Sequence, residues 1–270
     1  MDYIDEDDRY AILESVFNDN TSPSTAAEKI ASRSTSAIAV DVAGLWNLIT
    51  CCAMKLPKQQ DKLVKVLVDL SKLPDAKTGD GKPMTEYGMQ VWRDLPTLGW
   101  VLRDLMDGVE DACPCFPCEE GKVRSQQDTI SEYANLHRFM ALLVATKEPV
   151  FNYSWFALVV LREALEVSPS RRIEGTSLDA DVLSATEWIK VLGVEIYQWE
   201  EQFEDRLGRE CDLWKGPPVY GFSKERWAFW RQRFGEVARM EEDRLGEGAR
   251  TAAKEAERIM MEIENDKVGH

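Results

Sequence analysis

With 270 residues, 44% hydrophobic and 30% charged, the chain can bury a full core and reads as a globular protein of one large domain or two closely joined ones. A formal net charge of −15 excludes nucleic acid and an anionic membrane as principal partners, because both would repel it. The acidic start from Met1 to Asp8 fits neither a secretory signal nor a mitochondrial presequence, which places the chain in cytoplasm or nucleus with its six cysteines reduced.

Apolar residues recur at steps of three and four almost throughout, and no run alternates with period two, so the fold class is all-α without need of a sheet. Asp8 to Phe17 is the first predicted helix. Ser22 followed by Pro23 is a cap and first-position pair that opens a second helix carrying Ala26, Ala27 and Ile30. Ala37 to Met54 is the most apolar stretch. It contains Asp41 and Asn47 and has helical spacing at Ile38, Val42, Leu45, Ile49 and Cys52, the mark of a central buried helix rather than a membrane span. Leu63, Val66, Leu67 and Leu70 line a helix after Pro57, and Lys72 to Lys82 is a loop.

Helical text resumes around Trp92 and from Pro96 through Trp100, Leu102 and Met106, before the stretch 108–124 interrupts it and offers the one internal boundary. Ser125 to Thr146 follows, with Tyr133, Leu136, Met140 and Leu143 inward. Asn152 is placed to cap Tyr153 to Val167. A long helix is expected from about Asp179 to Leu207, presenting Ile189, Leu192, Ile196, Trp199 and Phe203.

The most specific text runs from Leu213 to Phe234. Gly216-Pro217-Pro218 cannot continue a helix, Ser223 caps the next one, and Phe222 with Trp227 takes the two positions of a hydrophobic staple. Trp227, Trp230, Phe234 and Val237 then form one stripe on a final helix predicted to reach about Glu264, with residues 241–270 as its charged extension. Burying that stripe is its simplest role. A binding role for Trp214, Arg226, Trp227 and Trp230 is the sharper reading, since a guanidinium beside indoles suits cation–π contact or carboxylate recognition.

Other constellations are incomplete. Cys113, Cys115 and Cys118 set three thiols in six residues, a spacing suited to zinc or to redox exchange, but a fourth ligand must come from Cys211, Cys51, Cys52 or His137 through the fold. Glu200, Glu201, Glu204 and Asp205 are spaced to hold magnesium on one helix face, yet Arg206 and Arg209 stand close enough to neutralise them, so a solvated charged face is the simpler reading. His137 lies within a helix, where a satisfied or half-exposed residue is expected, and His270 is the only other histidine; neither a catalytic triad nor a di-iron set can be built. No metal or cofactor is implied.

Leu95-Pro96-Thr97-Leu98-Gly99-Trp100, Tyr133-Ala134-Asn135-Leu136-His137-Arg138-Phe139, Leu161-Arg162-Glu163-Ala164-Leu165-Glu166 and Trp188-Ile189 resemble a family of uncharacterised fungal proteins, a domain of unknown function. The Leu-Trp-x-Gly-Pro text at Leu213 to Pro217 and the Glu-Arg-Trp-x-x-Trp text at Glu225 to Trp230 fit the same family. The resemblance covers about Thr85 to Met240 and implies a helical fold and a fungal source, with no catalytic residues to transfer. Leu142 departs from it, standing where the family has an arginine.

The combined reading is a soluble intracellular all-α protein, one multi-helix domain over residues 1–270, that binds a protein or a small apolar molecule through a Trp-lined groove between its last two long helices. Two other classes remain open on the sequence. One is an enzyme of specialised metabolism with an aromatic pocket, acting mainly by positioning. The other is a redox-responsive regulator using Cys113, Cys115 and Cys118.

Overall fold

A computed structural model describes residues 8–35, 42–108, 125–172, 177–203, 211–217 and 220–268. Among them run ten α-helices: α1 (Asp8–Phe17), α2 (Pro23–Thr35), α3 (Val42–Lys55), α4 (Gln60–Ser71), α5 (Leu98–Met106), α6 (Gln126–Ala145), α7 (Ser154–Leu165), α8 (Leu178–Gln198), α9 (Lys224–Val237) and α10 (Glu247–Val268). The fold is all-α, as the periodicity predicts. The only strand pair among the described residues is β1 (Thr85–Glu86) against β2 (Met89–Gln90), antiparallel, with Glu86 opposite Met89.

The chain gathers into two compact units, one of residues 1–129 with 146–151 and the other of residues 130–145 with 152–270. In the first, α2 packs chiefly on α4, and α3 on α5. Helix α3 is buried along nearly its whole length, as the apolar run from Ala37 demands, and its Trp46 Nε1 donates to Pro96 O at 2.6 Å, fastening the entry to α5. Ser22 caps α2, accepting from Thr25 N at 3.1 Å. Residues 146–151 are held to α4 by the Lys72–Glu148 ion pair at 2.5 Å.

In the second unit, α8 makes its broadest contacts with α10 and also packs on α7, while α9 joins α10. Gly193 permits the close approach of α10, for a Cβ there would stand 2.8 Å from Ile263 Cδ1. The preceding residue, Leu192, leaves helical geometry with φ −128° and ψ 17°, so α8 bends at this contact.

Several boundaries differ from expectation. Helix α8 stops at Gln198 because Trp199 turns extended at ψ 138°; Trp199 and Phe203 therefore lie beyond the helix, and Glu200 and Glu201 do not share a helical face. The predicted final helix is two helices, α9 and α10, separated by residues 238–246, so the C-terminal segment packs on α8 instead of trailing from α9. Trp92 sits in a turn rather than a helix. Asn152 does not cap α7: Tyr153 holds that position without a side-chain bond, and Asn152 Oδ1 instead accepts from Ser154 Oγ at 3.4 Å. Cys51 is disulfide-bonded, against the expectation of six reduced thiols, whereas Cys52 and Cys211 form no disulfide.

Candidate functional site

The second unit contains a fully buried carboxylate, Glu166, at the C-terminal end of α7. A charge in such a place is tolerated only when hydrogen bonds replace its water. Here Oε1 accepts from Arg226 Nε at 2.8 Å and from Trp230 Nε1 at 2.8 Å, while Oε2 accepts from Arg226 Nη2 at 3.3 Å. The two arginine bonds make a bidentate fork. Arg162 Nε stands 3.4 Å from Oε2 as a further cation. The other arm of Arg226, Nη1, donates to Gly221 O at 2.6 Å.

Local sequence explains how Arg226 and Trp230 reach this carboxylate. Ser223 caps α9 by accepting from Arg226 N at 3.1 Å, and residues 226 and 230, four apart, share the helix face turned toward α7. Ahead of the cap, residues 201–203 run beside 220–222, with Phe203 N donating to Tyr220 O at 2.7 Å and Phe222 N to Glu201 O at 3.0 Å. Only glycine fits at 221, where a Cβ would meet Glu201 O at 2.2 Å. The carbonyls at the end of α7 are satisfied by side chains and by the 211–217 segment: Arg233 Nε donates to Leu165 O at 3.0 Å and Leu213 N to Glu166 O at 3.0 Å.

That last bond, with Ser168 N donating to Asp212 Oδ1 at 2.9 Å, fixes the segment that carries Trp214. The indole folds back over Gly216, where a Cβ would fall 2.0 Å from the ring, and its Nε1 donates to Pro217 O at 3.3 Å. Arg226 lies 5.2 Å from the Trp214 ring centre, within cation–π range, and Phe229 meets the same ring edge-on at 5.2 Å. Trp214 is half-buried and Phe229 likewise, whereas Arg226 is 4% exposed and Trp227 and Trp230 are 1% exposed.

The four residues singled out from the sequence thus take different places. Arg226 and Trp230 grip Glu166, which belongs to the same chain. Trp227 packs edge-on against Tyr197 of α8 at 5.2 Å, its buried Nε1 without a hydrogen-bond partner among the described residues. Phe222 centres a separate aromatic cluster with Trp199 at 4.9 Å, Phe203 at 6.2 Å and Trp230 at 6.1 Å.

The chemistry of the network is that of a lock. Burial, followed by the negative charge of Glu166, pushes the Cys211 thiol up to about 12, so it stays protonated at neutral pH and is a poor nucleophile. Burial opposes the charge on Arg162, but the Glu166 carboxylate and the anionic forms of Cys211 and Tyr220 outweigh it and raise its pKa; its carbon lies 4.2 Å over the Tyr220 ring.

His137, expected to be satisfied or half-exposed, is fully buried and satisfied at one ring nitrogen. Its Nδ1 accepts from Trp188 Nε1 at 3.0 Å, which leaves the proton of the neutral ring on Nε2, an atom without a partner among the described residues. Burial lowers its pKa to about 3.

Glu166 was the functional-looking residue that sequence reasoning passed over. Its signal is there: α7 is apolar on almost every face, and a carboxylate at the end of such a helix needs a partner. Cys113, Cys115, Cys118, Glu204, Asp205, Arg206, Arg209 and Pro218 lie outside the described residues. Among the described residues no three His, Cys, Asp or Glu side chains gather as a metal-binding group, and no helix is long and apolar enough to cross a membrane.

The fold and this internal lock define an all-helical protein with a buried Arg–Glu–Trp cluster beneath a half-exposed tryptophan. The chain belongs to the DUF3632 family of proteins of unknown function, whose family model matches residues 46–234. That span includes Glu166, Trp214, Arg226 and Trp230. No curated protein and no solved structure matches the chain.

Proposed function

We propose that this is a non-catalytic binding protein whose contact face is built around Trp214 and Phe229, with Arg226, Trp227 and Trp230 as the support beneath it. The observation that carries the reading is the way Trp214 is held. A half-exposed indole is fixed by Gly216 below, Pro217 O at its N–H, Phe229 at its edge and Arg226 near its face. Fixing an aromatic anchor before contact lowers the entropy lost on binding, and tryptophan with arginine is the pairing that most often dominates interface energetics.

The partner is a protein or a small apolar molecule met in cytoplasm or nucleus. A net charge of −15 disfavours nucleic acid and anionic membranes. Comparing wild type with Trp214→Ala tests the reading, using affinity capture from cell extract and native mass spectrometry of copurified molecules. The variant is expected to lose one specific partner while staying folded, with a melting temperature lower by several degrees for the indole contacts removed. An unchanged set of bound molecules removes Trp214 from the contact face.

A further inference from the structure

The first unit carries a different surface, independent of the Trp214 face. Tyr87 and Trp100 are the most exposed large apolar side chains among its described residues, at 71% and 53%, and they contact each other with ring centres 4.9 Å apart and planes tilted by 59°. Neither ring gains much from folding in that position. The backbone that presents them is also under conformational load. Tyr87 at φ 50°, Leu95 at φ 43° and Thr97 at φ 66° are three of the five non-glycine residues with positive φ among the described residues, and all fall within fourteen residues of Trp100. Left-handed geometry costs a residue with a Cβ on the order of 1 kcal/mol or more, and such strain concentrates where function over-determines the chain.

Two devices hold the strained stretch. Tyr87 and Gly88, both at positive φ, form the two-residue loop between β1 and β2, a position where Asn-Gly is the relaxed choice. Trp46 Nε1 clamps Pro96 O between the two strained residues Leu95 and Thr97. The result is a fixed corner of two tilted rings.

The charged groups nearest in the helix pattern are on α5. Asp104 is one turn beyond Trp100 on the same face and is exposed; Arg103 is paired with Asp107 at 3.6 Å. At the hairpin, Arg93 is paired with Asp94 at 2.8 Å. An exposed carboxylate one helical turn from Trp100, on a chain of net charge −15, is complementary to a cation with a flat or apolar body. We infer that the Tyr87–Trp100 corner is a docking site for an arginine-bearing segment of a partner protein, the guanidinium stacking on the rings with Asp104 as its counter-charge.

The probe is a blocked pentapeptide Gly-Arg-Gly-Arg-Gly, compared with versions carrying citrulline or glutamate in place of arginine. Binding is followed at low salt through the Trp100 indole N–H resonance, assigned by its absence in Trp100→Phe. The arginine peptide is expected to shift that resonance saturably, and the citrulline and glutamate peptides to leave it in place. Trp100→Ala preserves the net charge, so it separates the aromatic seat from general attraction to an acidic protein. It should weaken binding at least fivefold, and Asp104→Asn should weaken it two- to fivefold, with melting unchanged in both because these side chains are exposed. Equal affinity in Trp100→Ala, equal binding of the glutamate peptide, or a saturable response to cellobiose with none to arginine would each overturn the assignment.

Discussion

Replacing Arg226 by methionine tests whether the lock around Glu166 holds the second unit together. Methionine keeps much of the side-chain volume but removes three hydrogen bonds, two to the carboxylate and one to Gly221 O. What remains is a buried carboxylate with Trp230 Nε1 and the Cys211 thiol as neutral donors and Arg162 at 3.4 Å. Breaking a buried pair by removing one partner costs about 3 to 5 kcal/mol, which in a protein of this size lowers the melting temperature on the order of 10 °C. Glu166→Gln keeps shape and an acceptor for Trp230 but leaves Arg226 without its counter-charge, and should cost about 1 to 3 kcal/mol. In the double variant neither orphaned charge is present, so its loss should fall below the sum of the two single losses by about 1 kcal/mol or more. Urea unfolding followed by tryptophan fluorescence and far-ultraviolet circular dichroism measures all three. Additive losses, or a cost below about 1 kcal/mol for Arg226→Met, would show that the cluster is incidental to stability.

Three further outcomes follow from the geometry. His137 has a folded pKa near 3 against 6.5 for the free side chain, so only the unfolded chain takes up its proton between those values; its contribution is complete above pH 6.5 and declines as pH falls toward 3. At pH 5 the loss should be about 2 kcal/mol relative to pH 7.5, and His137→Leu should flatten that part of the stability profile, a comparison that cancels the other titrating groups. Gly216→Ala must displace the Trp214 ring, since the new Cβ would overlap it; a cost of about 1 to 3 kcal/mol and a red shift of tryptophan emission are expected, and an unchanged spectrum would contradict the packing. Tyr87→Asn should raise stability by about 0.5 to 1 kcal/mol by suiting the positive-φ turn, while weakening capture of the arginine peptide; lower stability would mean the turn is not strained by its tyrosine.

The helices were legible because their inward residues repeat at helical spacing and because Ser22 and Ser223 are strong start signals, each making the predicted cap. Helix ends were legible only where glycine or proline marks them. Nothing of that kind follows Gln198, and the apolar pattern runs on through Trp199 and Phe203, so the extended turn at Trp199 is decided by pairing with residues 220–222. The break between α9 and α10 spans residues 238–246, where Glu241, Glu242 and Arg244 form helices readily and only Gly246 marks the restart, and the packing of α10 on α8 accompanies it. The hairpin escaped notice because Tyr87-Gly88 stands where Asn-Gly would announce a turn. At the candidate site, the sequence pointed to Arg226 and Trp230 but not to Glu166, since partners 60 and 64 residues apart leave no local periodicity.

The first unit recovers residues 146–151 after the chain has already entered the second through residues 130–145. The two bodies are therefore braided along the polypeptide. No single proteolytic cut parts them cleanly: a nick near residue 129 strips the first unit of the stretch that Lys72 holds through Glu148, and a nick after residue 151 leaves most of α6 on the first unit's fragment. Any uninterrupted segment that holds all of one unit also carries a piece of the other.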